Sequence, residues 1–157
     1  MIKLHLMVGV PGAGKSFFAS QQDGRYISRD NIRFALLSPK DDYFAKEDLV
    51  FETFIHEINF ALATVADEEH IYVDATHLTK QSRMKTLASI SIPEGTELIV
   101  EDFETPLDTC LFRNGLRTGR AKVPQSVIKR FFFQKQTPVE EEFEKYGFEK
   151  ITINKRK

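Results

Sequence analysis

Short apolar runs alternate with longer amphipathic stretches along this chain, a pattern that predicts a parallel sheet covered by helices on both faces. The strand-like segments are residues 2–8, 25–28, 70–74, 96–103 and 148–153, and the helix-like ones are 15–22, 29–37, 46–66, 79–90, 106–116 and 124–136. In the longest helix Leu49, Phe51, Phe54, Ile55, Ile58, Leu62 and Val65 recur near the 3.6-residue period, so one broad face must find a core. Pro39-Lys40-Asp41-Asp42 forms the loop before it, and Thr79 is placed to cap the helix after the third strand. Phe131, Phe132 and Phe133 cannot all point one way on a helix, which sends at least one ring to an interface or a groove. The runs Glu140-Glu141-Glu142 and Lys155-Arg156-Lys157 are short and read as solvated surface.

With 157 residues the chain has the length of one ordinary domain, and a single domain over 1–157 is expected. Hydrophobic residues make up 41% and charged residues 29%, a balance that excludes a disordered chain. The net charge is −1, so a site for a polyanion has to be a local patch and not a basic coat. Cys110 is the single cysteine; it excludes an internal disulfide, suits a reducing compartment, and sits with Leu107 and Leu111 in a setting that points to packing. No charged-then-apolar leader opens the sequence and no apolar run approaches a membrane span, so a cytoplasmic protein without membrane contact is expected.

One segment carries the strongest chemical signal. Residues 9–16 read Gly9-Val10-Pro11-Gly12-Ala13-Gly14-Lys15-Ser16, a G-x-x-x-x-G-K-[ST] phosphate-binding loop between the first strand and the first helix. Its glycines let successive backbone N–H groups wrap an anion closely. Lys15 is expected to neutralise phosphate charge and Ser16 to ligate Mg²⁺, which makes ATP and Mg²⁺ the expected cofactors.

In such a fold the ligand lies beyond the carboxyl ends of the strands, so the polar residues there are the natural candidates. After the second strand come Ser28, Arg29, Asp30, Asn31, Ile32 and Arg33, where Asp30 is either a helix cap or a base that takes the proton of an attacking hydroxyl. The third strand ends in Asp74, followed by Ala75, Thr76 and His77; Asp74 is a candidate Mg²⁺ ligand, directly or through water, with Glu101 and Asp102 competing for the role. His77 reads as a polar loop contact, since no partner has metal-site spacing. The third place is 113–124, where Arg113, Arg117, Arg120 and Lys122 gather around a glycine-containing turn. Arg113 and Arg117 are four apart, as on one helix face, and the segment reads as an arginine-bearing lid that closes over a nucleotide.

Together these motifs resemble a known family. Gly9-x-Pro11-Gly-x-Gly-Lys15-Ser16, Ser28-Arg29-Asp30-x-x-Arg33, Asp74-x-Thr76-His77-Leu78 with Arg83, and Arg113-Asn114-x-x-Arg117 ending in Val123-Pro124 are similar to the kinase domain of bacteriophage polynucleotide 5′-kinases, over residues 1–136. The resemblance implies an α/β P-loop kinase fold, a parallel sheet of about five strands with helices on both faces and the arginine-bearing lid. It implies transfer of the γ-phosphate of ATP to the 5′-hydroxyl of DNA or RNA. By resemblance the loop from Gly9 to Ser16, with Arg113 and Arg117, holds ATP and Mg²⁺; Asp30 is the general base; Arg33, Asp74 and Thr76 face the acceptor; and Arg117 with Arg120 forms the catalytic lid. A nucleic-acid 5′ end is then the expected partner, no protein partner is implied, and the setting is the host cytoplasm if the chain is phage-encoded. The family often carries Asp-Thr-Asn after the third strand, whereas here Ala75 separates Asp74 from Thr76 and His77 takes the place of Asn. Toxin-type kinases of nucleotide sugars and small-molecule phosphotransferases share the loop and the Arg-Asp-x-x-Arg pattern, and a non-catalytic nucleotide switch would leave Asp30 and Arg33 idle.

Overall fold

A computed structural model of the chain describes residues 1–66 and 69–157. Five strands, β1 (Lys3–Val8), β2 (Arg25–Ser28), β3 (His70–Asp74), β4 (Glu97–Phe103) and β5 (Lys150–Arg156), form one sheet in the order β2-β3-β1-β4-β5. All four pairings are parallel; Leu4 of β1 stands between Ile71 and Leu98, and Leu6 between Val73 and Val100. β1 is therefore central and covered on both faces, which is why it reads as an almost unbroken apolar run.

Helices α1 (Lys15–Ser20), α2 (Arg29–Leu36), α3 (Glu47–Thr64), α4 (Lys80–Ala88), α5 (Leu107–Gly115) and α6 (Gln125–Gln134) fill the crossovers. The alternation of side chains along each strand divides the core in two. Leu4, Leu6, Val8, Leu98 and Val100 pack against Val50, Phe54 and Ile58 of α3, Leu87 of α4 and Phe143. On the opposite face Met7, Tyr72 and Phe103 meet Ala19 of α1, Cys110 of α5 and Ile128 of α6. Cys110 is fully buried, as its apolar setting requires. Of the phenylalanine triplet, Phe131 and Phe132 line the second core and Phe133 stands 78% exposed.

Local signals set the helix boundaries. Thr79 and Ser82 form a reciprocal capping box that opens α4, and Ser28 caps α2 by accepting the Asn31 N–H at 3.1 Å. In the two charge runs Glu140, Glu141, Lys155 and Lys157 are solvated surface as expected, and one residue in each departs from it. Glu142 belongs to a 3₁₀ segment, Glu140–Tyr146, and its carboxylate is buried against Arg83, which is itself 1% exposed. A buried guanidinium needs a carboxylate, and the apolar side chain of Phe143 carries Glu142 inward with it. Lys155 and Arg156 extend β5 beyond the expected end, and Arg156 Nε donates to Glu101 at 2.5 Å while its guanidinium lies over the Phe18 ring.

The phosphate-binding loop, the start of α2 and the end of β3 all lie at the carboxyl edge of the sheet, beside β1, β2 and β3. There the chain's connections diverge, from β1 toward β2 on one side and from β3 to β4 on the other, which is where sheets of this kind place their ligands.

Candidate active site

Between β1 and α1 the chain turns back on itself with Gly12 at φ +86° and Gly14 at φ +101°. A Cβ on Gly12 would stand 2.5 Å from the Cys110 carbonyl oxygen, so that position needs glycine for conformation and for space, whereas at Gly14 the conformation alone requires it, since the nearest atom is the movable end of Arg113 at 2.9 Å. The loop is buttressed from three sides. The Gly9 N–H donates to the Thr76 carbonyl at 3.0 Å, the Thr105 hydroxyl to the Ala13 carbonyl at 2.7 Å, and Arg113 Nη1 to the Gly12 carbonyl at 3.5 Å. Thr76 thus contributes its main chain to the loop, and Arg113 reaches it from the last turn of α5.

Lys15 folds back over the loop, its Nζ donating to the Gly9 carbonyl at 2.6 Å and to that of Val10 at 3.5 Å. Burial holds its ammonium below the usual amine range, Asp74 and Asp30 pull it back up, and the charge of Arg117 pushes it down again. Lys15, Asp74, Asp30 and Arg117 therefore share one electrostatic neighbourhood, although they come from α1, β3, α2 and the segment after α5. The Ser16 side chain is exposed beside it.

Asp74 is 8% exposed at the end of β3, and its Oδ2 accepts a hydrogen bond from the Tyr26 phenol of the neighbouring strand. Burial pushes this carboxyl above the usual range, against the pull of Lys15 and the Tyr26 bond. Glu101 and Asp102, the competing carboxylates, are engaged elsewhere. Glu101 receives Arg156 and lies 3.1 Å from His5 Nδ1, and Asp102 pairs with Lys135 at 2.6 Å.

Among the described residues no three His, Cys, Asp or Glu side chains gather as a metal cage. A free hydroxyl at Ser16 and a buried carboxylate at Asp74 fit instead the sparse oxygen donor set by which Mg²⁺ is held at phosphates, with water and phosphate oxygens completing the shell. His77 is buried at φ +45°, Nδ1 on the Met7 carbonyl at 3.0 Å and Nε2 facing the Thr86 hydroxyl at 3.0 Å. Burial drives its pKa down to about 3, so it is a neutral structural histidine, the loop contact its sequence setting suggests.

The choice between cap and base at Asp30 is narrowed by Ser28, which takes the capping position and leaves the Asp30 side chain 58% exposed. Arg33 Nη1 and the Tyr43 hydroxyl both donate to Asp30 Oδ1, the latter at 2.8 Å. Arg33 is 7% exposed and gives its other terminal nitrogen to both carboxylate oxygens of Glu47, while its guanidinium stacks 4.3 Å from the Tyr43 ring centre. Arg33 is thus engaged at once by Asp30, Tyr43 and Glu47. Tyr43, Glu47 and Tyr26 carry no motif spacing and were not legible as site residues; that Arg33 needs carboxylate partners follows only once its burial is seen.

The helix carrying Arg113 ends at Gly115, so Arg117 lies past the α5 terminus and not on one helical face with it. Arg117 Nη1 makes a 3.4 Å contact with the Ala121 carbonyl at the edge of a short 3₁₀ turn, Gly119–Ala121. Arg120 points the other way, onto the carbonyls of Ser38, Pro39 and Asp41.

No described helix is long and apolar enough to cross a membrane. No curated protein sequence matches the chain significantly. Among solved structures, a gluconokinase from Sinorhizobium meliloti 1021 superposes with a TM-score of 0.56 at 19% identity, over 98% of this chain and 82% of that one. A fungal RNA kinase gives 0.58 at 14% identity, over 99% of this chain and 75% of the other. The structure of a Pnkp1/Rnl/Hen1 complex gives 0.57 at 20% identity, over 75% of this chain and 40% of its counterpart. At these identities the likeness establishes the α/β P-loop kinase-like fold. Residues 4–137 match the model of a family described as an AAA domain, and the chain belongs to that family.

Proposed function

We propose that the protein is an ATP-dependent phosphotransferase that moves the γ-phosphoryl group to the 5′-hydroxyl of a polynucleotide. The observation that carries this reading is Asp30. Arg33 and Tyr43 fix one of its oxygens, Oδ1, and the exposed side chain keeps Oδ2 free within the charged neighbourhood of Lys15. A nucleotide switch needs no such carboxylate. The loop from Gly9 to Ser16 binds the ATP phosphates with its amides and Lys15, and Arg113 holds the loop in shape. Mg²⁺, when bound by Ser16 and, directly or through water, by Asp74, neutralises charge on the phosphate oxygens. Asp30 Oδ2 takes the proton of the acceptor hydroxyl as its oxygen bonds to the γ-phosphorus and the bridging oxygen leaves with ADP. Arg117 faces the charge that spreads over the transferred group.

The RNA kinase and Pnkp1 likenesses, with the motif resemblance, support a nucleic-acid 5′ end as the acceptor. A second reading, a small polyhydroxy acceptor, is favoured by one local feature. Arg29 and Arg33 both lean on Glu47, so the acceptor side is closer to neutral than its arginines suggest, and a gluconokinase shares the fold. Transfer of labelled γ-phosphate to a 5′-hydroxyl oligonucleotide, to gluconate and to a nucleotide sugar, under matched Mg²⁺–ATP, decides between them. Label on the oligonucleotide is the expected result; label on a small acceptor alone assigns the second reading, and none on any acceptor returns the chain to a switch.

A further inference from the structure

The segment between α5 and α6 is pinned at its neck. Asn114, 1% exposed, donates through Nδ2 to the Val123 carbonyl at 2.6 Å and accepts the Val123 N–H at 2.8 Å. From that neck the 3₁₀ turn reaches across to the loop between α2 and α3. There Arg120 Nη2 donates to three carbonyls, those of Ser38 at 2.8 Å, Pro39 at 2.9 Å and Asp41 at 2.9 Å.

That turn has its own internal bonds. The Asp41 N–H donates to the Ser38 carbonyl at 3.1 Å, Asp41 Oδ2 accepts the Ser38 N–H at 2.8 Å, and Lys46 pairs with Asp41 at 3.5 Å. Three carbonyl dipoles converging on one point repel one another unless a cation sits there. The same loop then runs into Tyr43 and Glu47, the residues that hold Asp30 and Arg33.

We propose that Arg120 is a positioning residue, a clasp that fastens the lid to the 38–41 turn and so keeps the Tyr43–Glu47 support of Asp30 in place, and not a phosphate ligand. The proposal rests on the phosphotransfer reading but not on which acceptor is used. Its chemistry makes a distinction. All three bonds fall on one nitrogen, a point contact that a lysine ammonium with its three donors can also make, whereas a phosphate gripped by both arms of a guanidinium cannot be served by lysine equally well.

Arg120→Ala, Arg120→Lys and Asp41→Ala in the whole chain test the clasp. Arg120→Ala is expected to raise the acceptor KM about tenfold, the size of one lost charge-assisted contact, with ATP affinity within about twofold of the parent. Arg120→Lys is expected to recover most of that loss. Asp41→Ala leaves the three carbonyls in the chain but removes the Oδ2 bond to the Ser38 N–H and the Lys46 pair that shape their turn, so it should act in the same direction, and the double variant should lose less than the sum of the two, because Arg120 depends on that turn geometry. In the protein without substrates, hydrogen exchange of the backbone amides at 38–42 and 119–122 should speed up in both alanine variants, a readout that survives even if the phosphotransfer reading fails. A hundredfold loss of kcat in Arg120→Ala at unchanged acceptor KM would place the guanidinium on the phosphates. Unchanged exchange in both segments, additive losses in the double variant, or a lysine variant as impaired as the alanine would each overturn the clasp as well.

Discussion

The phosphate-binding loop is one run of consecutive residues, Gly9 to Ser16, whereas the proposed acceptor side draws Asp30, Arg33, Tyr43 and Glu47 from two helices and the loop between them. The first is largely a backbone device, and its shape follows from glycine conformations, from the Thr76 carbonyl, and from the Thr105 and Arg113 side chains that donate to the loop's own carbonyls. The second is a side-chain device, in which a buried arginine orients a carboxylate and is itself balanced by another. A backbone device survives most substitutions outside its glycines. A side-chain device fails at any of several positions, and for different reasons at each.

The sharpest break in that comparison is Asp30→Asn. It keeps size and hydrogen bonding, removes the proton acceptor, and is expected to lower kcat by about 10² to 10⁴ with ATP affinity unchanged. Lys15→Ala should instead impair ATP binding and turnover together. Equilibrium ATP titration beside turnover separates the two patterns, and normal turnover by Asp30→Asn would remove Asp30 from the chemistry.

Next in size is the ion pair beneath the site. Arg83 donates to Glu142 at 2.5 and 3.2 Å and to the His77 carbonyl at 2.8 Å, so it ties the segment after β3 to the 3₁₀ turn before β5. Glu142→Ala leaves a buried guanidinium without its carboxylate and should destabilise the fold by about 3–5 kcal/mol in urea titration. A loss under 1 kcal/mol would mean that water replaces the carboxylate.

Strand and helix positions were legible to within a few residues because period and capping residues are local properties; Thr79 and the glycines of the loop announce themselves within four positions. The partners of Arg33 and Arg83 were not, because Glu47 and Glu142 stand 14 and 59 residues away and look like any surface glutamate. Nor were the partners of Arg117 and Arg120 legible, since they depend on where α5 stops, at Gly115, and on the carbonyls of a turn some eighty residues earlier.

His77 offers a smaller effect, read through pH. Its folded pKa lies near 3 and its unfolded value near 6.5, so the unfolded chain binds the extra proton between those values. The stability it contributes is complete above pH 6.5 and is lost as pH falls, by about 1.4 kcal/mol per unit at the steepest. Asparagine tolerates the left-handed backbone at φ +45° and does not titrate. His77→Asn should therefore flatten the stability profile between pH 6.5 and 5, where most carboxylates have yet to protonate. Parallel urea midpoints for the two proteins across that window would mean that His77 is already exposed to protons in the fold.

The smallest expected effect asks whether the donor side depends on side chains too. Asp74 is a buried carboxylate beside Lys15, and the Tyr26 phenol is its hydrogen-bond donor from the edge strand. If Asp74 serves Mg²⁺, Tyr26 orients a metal ligand, and losing such a partner costs about tenfold or more in metal affinity. Tyr26→Phe keeps the ring and deletes only the donor. It should raise the Mg²⁺ concentration for half-maximal turnover about tenfold, while turnover at saturating Mg²⁺ and the KM for the acceptor stay close to the parent. A Mg²⁺ requirement that does not move would free Asp74 from the metal and leave Ser16 as the only protein oxygen on it. The donor side would then be, as its sequence suggests, almost wholly a matter of one loop.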